Sequence, residues 1–279
     1  SPEITDIRDT RCLVLIGSHL GENMHNSQVQ EMSDAIDKGT TIITVDPRFS
    51  TAAGKSKYWL PVKPATDMAL LLAWMHEIIY NDYYDRNYVE KYCLGFEQLK
   101  AHVKDFTPEW AYGITTIRPD LIRNTAREMA NASPAVIVHP GRHVTWYGDD
   151  TQRSRAIAIL NALLGSWGRR GGFYRPARFE VPSATLPPYP GPSRTWSDLF
   201  PGKYPGATLA VTNVLVDGSI PDNNPAYPIK GWFVNASNLI LTVPDQAKTI
   251  RAIQNLDLIV AVDTMPMEIT GWADVVLPE

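Results

Sequence analysis

Apolar and polar positions fall along this chain in short blocks. Cys12 to Ile16 is an unbroken apolar run, followed by the small and polar loop Gly17-Ser-His-Leu-Gly-Glu-Asn23. A helix-like stretch then runs to about Asp37, and the β-branched run Thr40 to Val45 ends on Asp46-Pro47-Arg48. Short apolar runs bounded by turn residues read as strands buried on both faces, and the order strand, loop, helix, strand is that of a parallel α/β sheet. Loops that follow the strands of such a sheet share one edge. Tyr58 to Val62 reads as a further strand, and Thr66 as the N-cap of a helix carrying Met68 to Ile79. More helix is expected near Arg86 to Cys93, Phe96 to Lys104 and Pro119 to Ala130, packed on the sheet.

Ala135 to Val138 begins a new strand that Pro140-Gly141 breaks, after which Asp150 or Thr151 caps an apolar helix through Leu164. The pattern therefore predicts two α/β domains, residues 1–132 and 133–279. Gly171 to Gly206 is rich in Pro, Gly and aromatics, too irregular for a helix and too apolar for a free linker. It reads as a packed excursion, extending to about residue 225. Regular texture resumes with Gly231 to Val234, Asp245 to Gln254, Leu258 to Val262 and Val275 to Leu277.

The two halves echo each other. Ile16-Gly-Ser-His19 precedes Val45-Asp-Pro47 and then Trp59-Leu-Pro61, while Val234-Asn-Ala-Ser237 precedes Val262-Asp-Thr264 and then Val276-Leu-Pro278. Gly17 to Asp46 spans 29 positions and Asn235 to Asp263 spans 28, while Asp46 to Pro61 and Asp263 to Pro278 both span 15. Two similar nucleotide-sized units in one chain would explain that agreement; coincidence is the competing reading, since a strand followed by Asp is common in α/β sheets.

Composition narrows the class further. A chain of 279 residues is long enough for about two domains. Apolar residues at 44% and charged residues at 20% exclude wholesale disorder. The longest strongly apolar run, Met68 to Met75, is eight residues, where a membrane span needs about 20. A net charge of -4 gives no general attraction to polyanions, which argues against nonspecific nucleic-acid binding. Cys12 and Cys93 are too few for a disulfide framework or a four-thiolate metal site, and Cys12 reads as a core thiol. The chain opens on Ser with no leader-like segment and closes on the strand-like Val275 to Glu279, so it is expected to be a piece of a longer polypeptide.

Several groups could carry chemistry. A small, polar loop between a strand and a helix offers backbone N–H groups and a helix dipole to a phosphate, and Gly17 to Asn23 has that character. Its glycines are separated by three residues, which departs from the GxGxxG dinucleotide fingerprint, and a plain tight turn is the competing reading. Asp46 stands at a strand tip, where a carboxylate accepts bonds from a ribose or base, and guanine offers suitable donors. Thr66-Asp67 is a similar group that needs no ligand if it only starts a helix. Gly54-Lys55-Ser56 lacks the glycine and the strand of a phosphate-binding Walker loop. His139 and His143 have a helical metal spacing that Pro140 and Gly141 forbid. Asp149 and Asp150 suit the start of a helix, and Arg169-Arg-Gly-Gly172 suits the end of one. Arg142 and His143, presented where a strand stops, could hold an anionic substrate; a surface Arg and a hydrogen-bonded His is the plainer alternative.

Taken in order, Leu15-Ile-Gly-Ser-His-Leu-Gly-Glu-Asn23, Val45-Asp-Pro-Arg48, Trp59-Leu-Pro-Val-Lys-Pro-Ala-Thr-Asp67, Asn161-Ala-Leu-Leu-Gly165, Gly171-Gly-Phe173 and Ala273-Asp-Val-Val-Leu-Pro278 cover nearly the whole chain. Their succession resembles the molybdenum-bis(pterin guanine dinucleotide) oxidoreductases of the DMSO reductase type. Within that family, His139-Pro-Gly-Arg-His-Val-Thr-Trp-Tyr-Gly148 and Asn235-Ala-Ser-Asn-Leu239 look most like the catalytic subunits of polysulfide and thiosulfate reductases, with arsenate reductases as close relatives.

The resemblance implies two related Rossmann-like α/β domains with mostly parallel sheets, the central part of such an enzyme, each holding one pterin guanine dinucleotide of a molybdenum or tungsten cofactor. By the family pattern one dinucleotide would be bound by Gly17, Ser18, His19, Glu22, Asn23, Asp46, Pro47, Arg48, Thr66 and Asp67. The other would be bound by Asn235, Asn238, Asp263 and Thr264, with Pro140 and Gly141 near the metal. Arg142 and His143 would be the catalytic side chains, Arg142 holding the polysulfide or thiosulfate anion. The family's 4Fe-4S cluster motif and protein metal ligand match nothing in this chain, and the family's Gly before Thr66-Asp67 is Ala65 here. Resemblance further implies an iron-sulfur electron-transfer subunit, a membrane anchor subunit and a place on the periplasmic side of the membrane. Reduction of arsenate or tetrathionate, and a non-catalytic nucleotide-binding module like the central α/β domain of thiamine-diphosphate enzymes, are the alternative readings.

Overall fold

The computed structural model describes residues 4–18, 20–22, 26–139, 141, 151–174, 212–224 and 227–279. These residues form two compact units, Ser1–Val181 and Pro182–Glu279. Most of the Pro- and Gly-rich excursion, residues 175–211 and 225–226, lies outside the described residues.

The first unit is built on a four-stranded parallel sheet of β2 (Cys12–Ile16), β3 (Thr41–Val45), β4 (Tyr58–Leu60) and β5 (Val136–His139), in the order β4-β3-β2-β5. All five residues of β2 are buried, as a central parallel strand requires. The two-residue period of a strand still sorts them. Cys12, Val14 and Ile16 join Ile43, Val45, Val136 and Val138 on one face, against α3 (Asp67–Tyr80), α7 (Pro119–Ala132) and α8 (Thr151–Leu163). Leu13 and Leu15 join Ile42 and Ile137 on the other, with Met32 and Ala35 of α1 (Asn26–Asp37) and with Phe173. Burial pushes the Cys12 thiol far above its usual pKa, so it is an inert core group.

Both the expected strands and most expected helices are present, including α4 (Arg86–Tyr92) and α5 (Phe96–His102). The expected boundary at residue 133 is displaced. β5 pairs with β2, Cys12 opposite Val136 through Leu15 opposite His139, and α8 packs on α3, so this segment completes the first unit. Arg169 and Arg170 do not cap α8: it turns off at Gly165, at φ +65°, and the guanidinium groups reach instead to Asp85 at 2.6 Å and Asp9 at 2.8 Å. The short antiparallel pair β1 (Ile4–Thr5) and β6 (Phe173–Tyr174) closes this region. Helix α6 (Pro108–Thr115) was not expected from periodicity, although Thr107 caps it through Trp110 N–H at 3.2 Å and Pro108 starts it. Among the described residues no helix is long and apolar enough to cross a membrane.

Asn161 has a particular part in this unit. Its Oδ1 accepts from Val138 N–H at 2.9 Å, and its Nδ2 donates to Val138 O at 2.9 Å and Ile157 O at 3.0 Å. A buried side-chain amide thus stands in for a missing neighbouring strand, satisfying β5 and tying it to α8. The second unit has a three-stranded parallel sheet, β7 (Gly231–Asn235), β8 (Leu258–Asp263) and β9 (Val275–Pro278), in chain order. Trp232, Val234 and Ile259 pack on helix Gln246–Ile253, whose N-cap Asp245 accepts from Lys248 N–H at 3.1 Å.

Asn161→Leu removes three buried hydrogen bonds and leaves the N–H and C=O of Val138 unpaired, at about 1–3 kcal/mol for each group. A loss of about 3 kcal/mol in unfolding free energy is expected by urea titration, and an unchanged midpoint would contradict this role.

Candidate functional site

In a parallel sheet ligands sit beyond the carboxyl ends of the strands, where successive connections part to opposite sides. β2 is that place in the first unit, with β3 on one flank and β5 on the other. Leu15 is opposite His139, so Gly17 and Gly141, each two residues further on, leave the sheet at the same level. Both are in the left-handed region, at φ +53° and +60°. Gly17 N–H donates to Val45 O at 3.0 Å, and among the described residues nothing lies within 4 Å of where its side chain would stand. The backbone is therefore bare on that side. His139 is buried, and its Nδ1 accepts from Gly141 N–H at 3.1 Å, which puts the proton of a neutral ring on Nε2.

The other described residues expected to contribute from the first unit follow β2, β3 and β4 in the chain. Ser18 is buried, while Asp46, Pro47 and Arg48 follow β3, with Asp46 Oδ1 accepting from Arg48 N–H at 2.8 Å. Glu22 is engaged within the protein: Oε2 receives Arg48 Nη2 at 2.5 Å and Oε1 receives Thr51 N–H at 3.0 Å. That carboxylate joins the loop after β2 to the loop after β3, and its hydrogen bond raises the Arg48 pKa. Thr66 precedes α3 but does not cap it through its side chain, because its hydroxyl donates to Lys63 O at 2.6 Å. Asp67, in the first turn of α3, faces Arg153 of α8 at 3.6 Å, with side chains 15% and 11% exposed. An acidic group there also suits the helix dipole. His19, Asn23, Pro140, Arg142 and His143 lie outside the described residues.

The second unit repeats this geometry. Ala236 leaves β7 at φ +50° and donates its N–H to Val262 O at 3.0 Å, as Gly17 does to Val45 O. The counterpart of Gly17 is therefore Ala236, one residue later than the sequence echo placed it. The 15-residue part of the echo is strand register, since Val45 pairs with Leu60 and Val262 with Leu277. Asp46 and Asp263 are matching strand ends, and Asp263 Oδ1 accepts from Thr264 N–H at 2.8 Å. Asn235 is exposed at the end of β7. Asn238 is buried and gives its Nδ2 to Glu268 Oε2 at 2.5 Å, an orientation that the carboxylate charge dictates. Backbone N–H bonding, then Asn238, holds the Glu268 carboxyl below its usual range. Asn238 Oδ1 is left as a buried acceptor with no hydrogen-bond partner among the described residues.

Each unit thus presents a parallel sheet whose first strand ends in a left-handed residue and whose second ends in an aspartate, the edge at which α/β proteins bind ligands. The molybdopterin oxidoreductase family model matches residues 1–279, and the chain belongs to that family. It is 33% identical, over 98% of its length, to the thiosulfate reductase molybdopterin-containing subunit PhsA of Salmonella typhimurium, covering 38% of that protein. It is 28% identical over 99% of its length to F420-dependent formate dehydrogenase 1 subunit alpha of Methanococcus maripaludis, covering 42% of it. The solved acetylene hydratase from Pelobacter acetylenicus superposes with a TM-score of 0.74 at 26% identity, over 99% of this chain and 42% of that one. The chain thus spans about two fifths of the length of these relatives.

Family membership implies a molybdenum or tungsten pterin cofactor. The residues present fit such a group: among the described residues Gly17 leaves room for close backbone approach, and Asn238 Oδ1 has no donor. Nothing in the sequence marked Arg153 as the partner of Asp67. Ala65, singled out there as standing where the resembled family has Gly, sits at φ +65°. A residue with a Cβ is strained there by about 1–2 kcal/mol. Ala65→Gly is expected to raise stability by about 0.5–1 kcal/mol, read as a higher melting temperature; a lower one would show that Ala65 packing outweighs the strain.

Proposed function

We propose that this chain is part of the catalytic subunit of a molybdenum enzyme that reduces thiosulfate or polysulfide in anaerobic respiration. The observation that carries the reading is the likeness to the thiosulfate reductase subunit over 98% of the chain, together with the repeated strand-end geometry. Each unit binds one guanine dinucleotide arm of a bis-pterin cofactor. In the first, the open backbone at Gly17 and Ser18 receives phosphate, and Asp46 accepts from the guanine edge. Thr66 and Asp67 border the same edge, with Asp67 held by Arg153. In the second, Asn238 Oδ1, Asp263 and Thr264 do the corresponding work.

When bound, the metal of the cofactor supplies the two-electron chemistry. The side chains place the substrate. Arg142 comes three positions after His139 in the sequence, and in this reading its guanidinium holds the sulfur anion by charge-assisted hydrogen bonds, with His143 as the second catalytic side chain. Reduction of thiosulfate consumes two electrons and two protons and releases hydrogen sulfide and hydrogen sulfite ions. The electrons come from an iron-sulfur partner subunit through a 4Fe-4S cluster in a part of the polypeptide beyond this chain, and a membrane subunit anchors the assembly at the periplasmic face.

Purified full-length protein is expected to contain molybdenum or tungsten and to oxidise reduced viologen with thiosulfate or polysulfide. Lack of both metals, or turnover confined to arsenate, tetrathionate, formate or a sulfoxide, would overturn the reading. An adenine nucleotide without pterin on acid extraction would point to the nucleotide-binding module instead. Arg142→Ala is expected to lower turnover by about 100-fold, the scale of one lost charge-assisted contact, with cofactor content unchanged. Asp46→Ala is expected to lower cofactor content, and equal cofactor loss in both variants would refute this division of roles.

A further inference from the structure

Phe49 is a large apolar side chain that the core does not use. It is 64% exposed, directly after the exposed Pro47 and Arg48 at the end of β3. Exposure of one such ring is ordinary; its support is not. The ring meets Trp59 edge-on, with centroids 4.9 Å apart and planes at 73°. Trp59 is itself held, its Nε1 donating to Asp46 O at 2.9 Å. On the α2 side (Thr51–Gly54), a methyl group at Gly54 would stand 3.7 Å from Phe49 Cε1. Ser50 caps that turn by accepting from Ala53 N–H at 3.3 Å, so the loop carrying Phe49 is tied at both ends. Three residues before Phe49, and tied to the same Trp59 through its backbone O, Asp46 has an Oδ2 with no hydrogen bond among the described residues, the Arg48 guanidinium going to Glu22.

A fixed aromatic and a carboxylate with an open oxygen, three residues apart at one strand end and both held by Trp59, supply what a purine with edge donors requires: a ring for its face and an acceptor for its edge. We infer that Phe49, braced by Trp59, is the stacking platform for the guanine base of the dinucleotide held by the first unit, with Asp46 selecting guanine at its edge. The inference rests on the proposed guanine dinucleotide function and adds to it a positioning residue for the base. Bracing lowers the ordering cost of binding, since the ring is already held before the base arrives. Adenine lacks the N–H and amino pair of guanine along that edge and would leave the Asp46 oxygen unanswered.

The test uses full-length holoenzyme as wild type, Phe49→Ala and Phe49→Trp. Guanine per protein is measured by chromatography after acid hydrolysis, at intervals of dialysis in mild urea, with melting temperatures of the cofactor-depleted proteins alongside. Phe49→Ala is expected to lose guanine about tenfold faster than wild type, the scale of one lost base-stacking contact, and Phe49→Trp to retain it. The melting temperature of the depleted Phe49→Ala protein is expected to match wild type. Guanine retained equally by wild type and Phe49→Ala would overturn the stacking role while leaving the proposed function standing. Loss in both variants with a lowered melting temperature would make Phe49 structural and overturn it likewise. Wild-type protein without guanine would overturn both.

Discussion

The divergence of the chain at the carboxyl end of β2 is the constraint on which the site depends. Hydrogen bonding between parallel strands fixes β3 and β5 on either side of β2 at one register. The backbone beyond Ile16 can follow only one of those neighbours, and Gly17 follows β3 through its bond to Val45 O. Among the described residues the other side of that backbone is left open. Gly17 suits the position because left-handed φ and an absent Cβ are both needed for another molecule to come close.

Maintaining that opening needs fixed surroundings. Asn161 supplies β5 with the backbone partners that a further strand would have supplied, which keeps the edge from fraying. Glu22 ties the loops after β2 and β3 together through Arg48 and Thr51. Asp67 and Arg153 join the starts of α3 and α8 where both side chains are largely buried, so the pair specifies position more than it adds stability. Each of these polar groups is joined to a residue on another element.

The second unit shows how much of the design is backbone and how much is chemistry. Ala236 reproduces the turn of Gly17, and Leu277 stands to Val262 as Leu60 does to Val45. The side chains around the repeated frame differ. Asp46 bonds to the backbone two residues on, whereas Asp263 bonds to the next residue, and the first unit has no described equivalent of the buried Asn238 amide. In the proposed function, that shared frame with unlike side chains serves two chemically alike cofactor arms, each in its own surroundings.

The apolar runs determined the strands, because a five-residue segment such as Cys12 to Ile16 can hide both faces only within a parallel sheet. Terminal aspartates and the 15-residue spacing likewise made the duplication legible, since register is a local consequence of strand and loop length. Periodicity did not reveal that β5 belongs beside β2, since pairing between residues more than a hundred positions apart leaves no local pattern. Nor did it show that Glu22 is occupied by Arg48 and Thr51, that Arg153 answers Asp67, or that Phe49 stands exposed on Trp59. Residue type and spacing state what a side chain is able to do; its actual partner depends on which distant segments packing brings within hydrogen-bonding distance, and tertiary structure alone decides that.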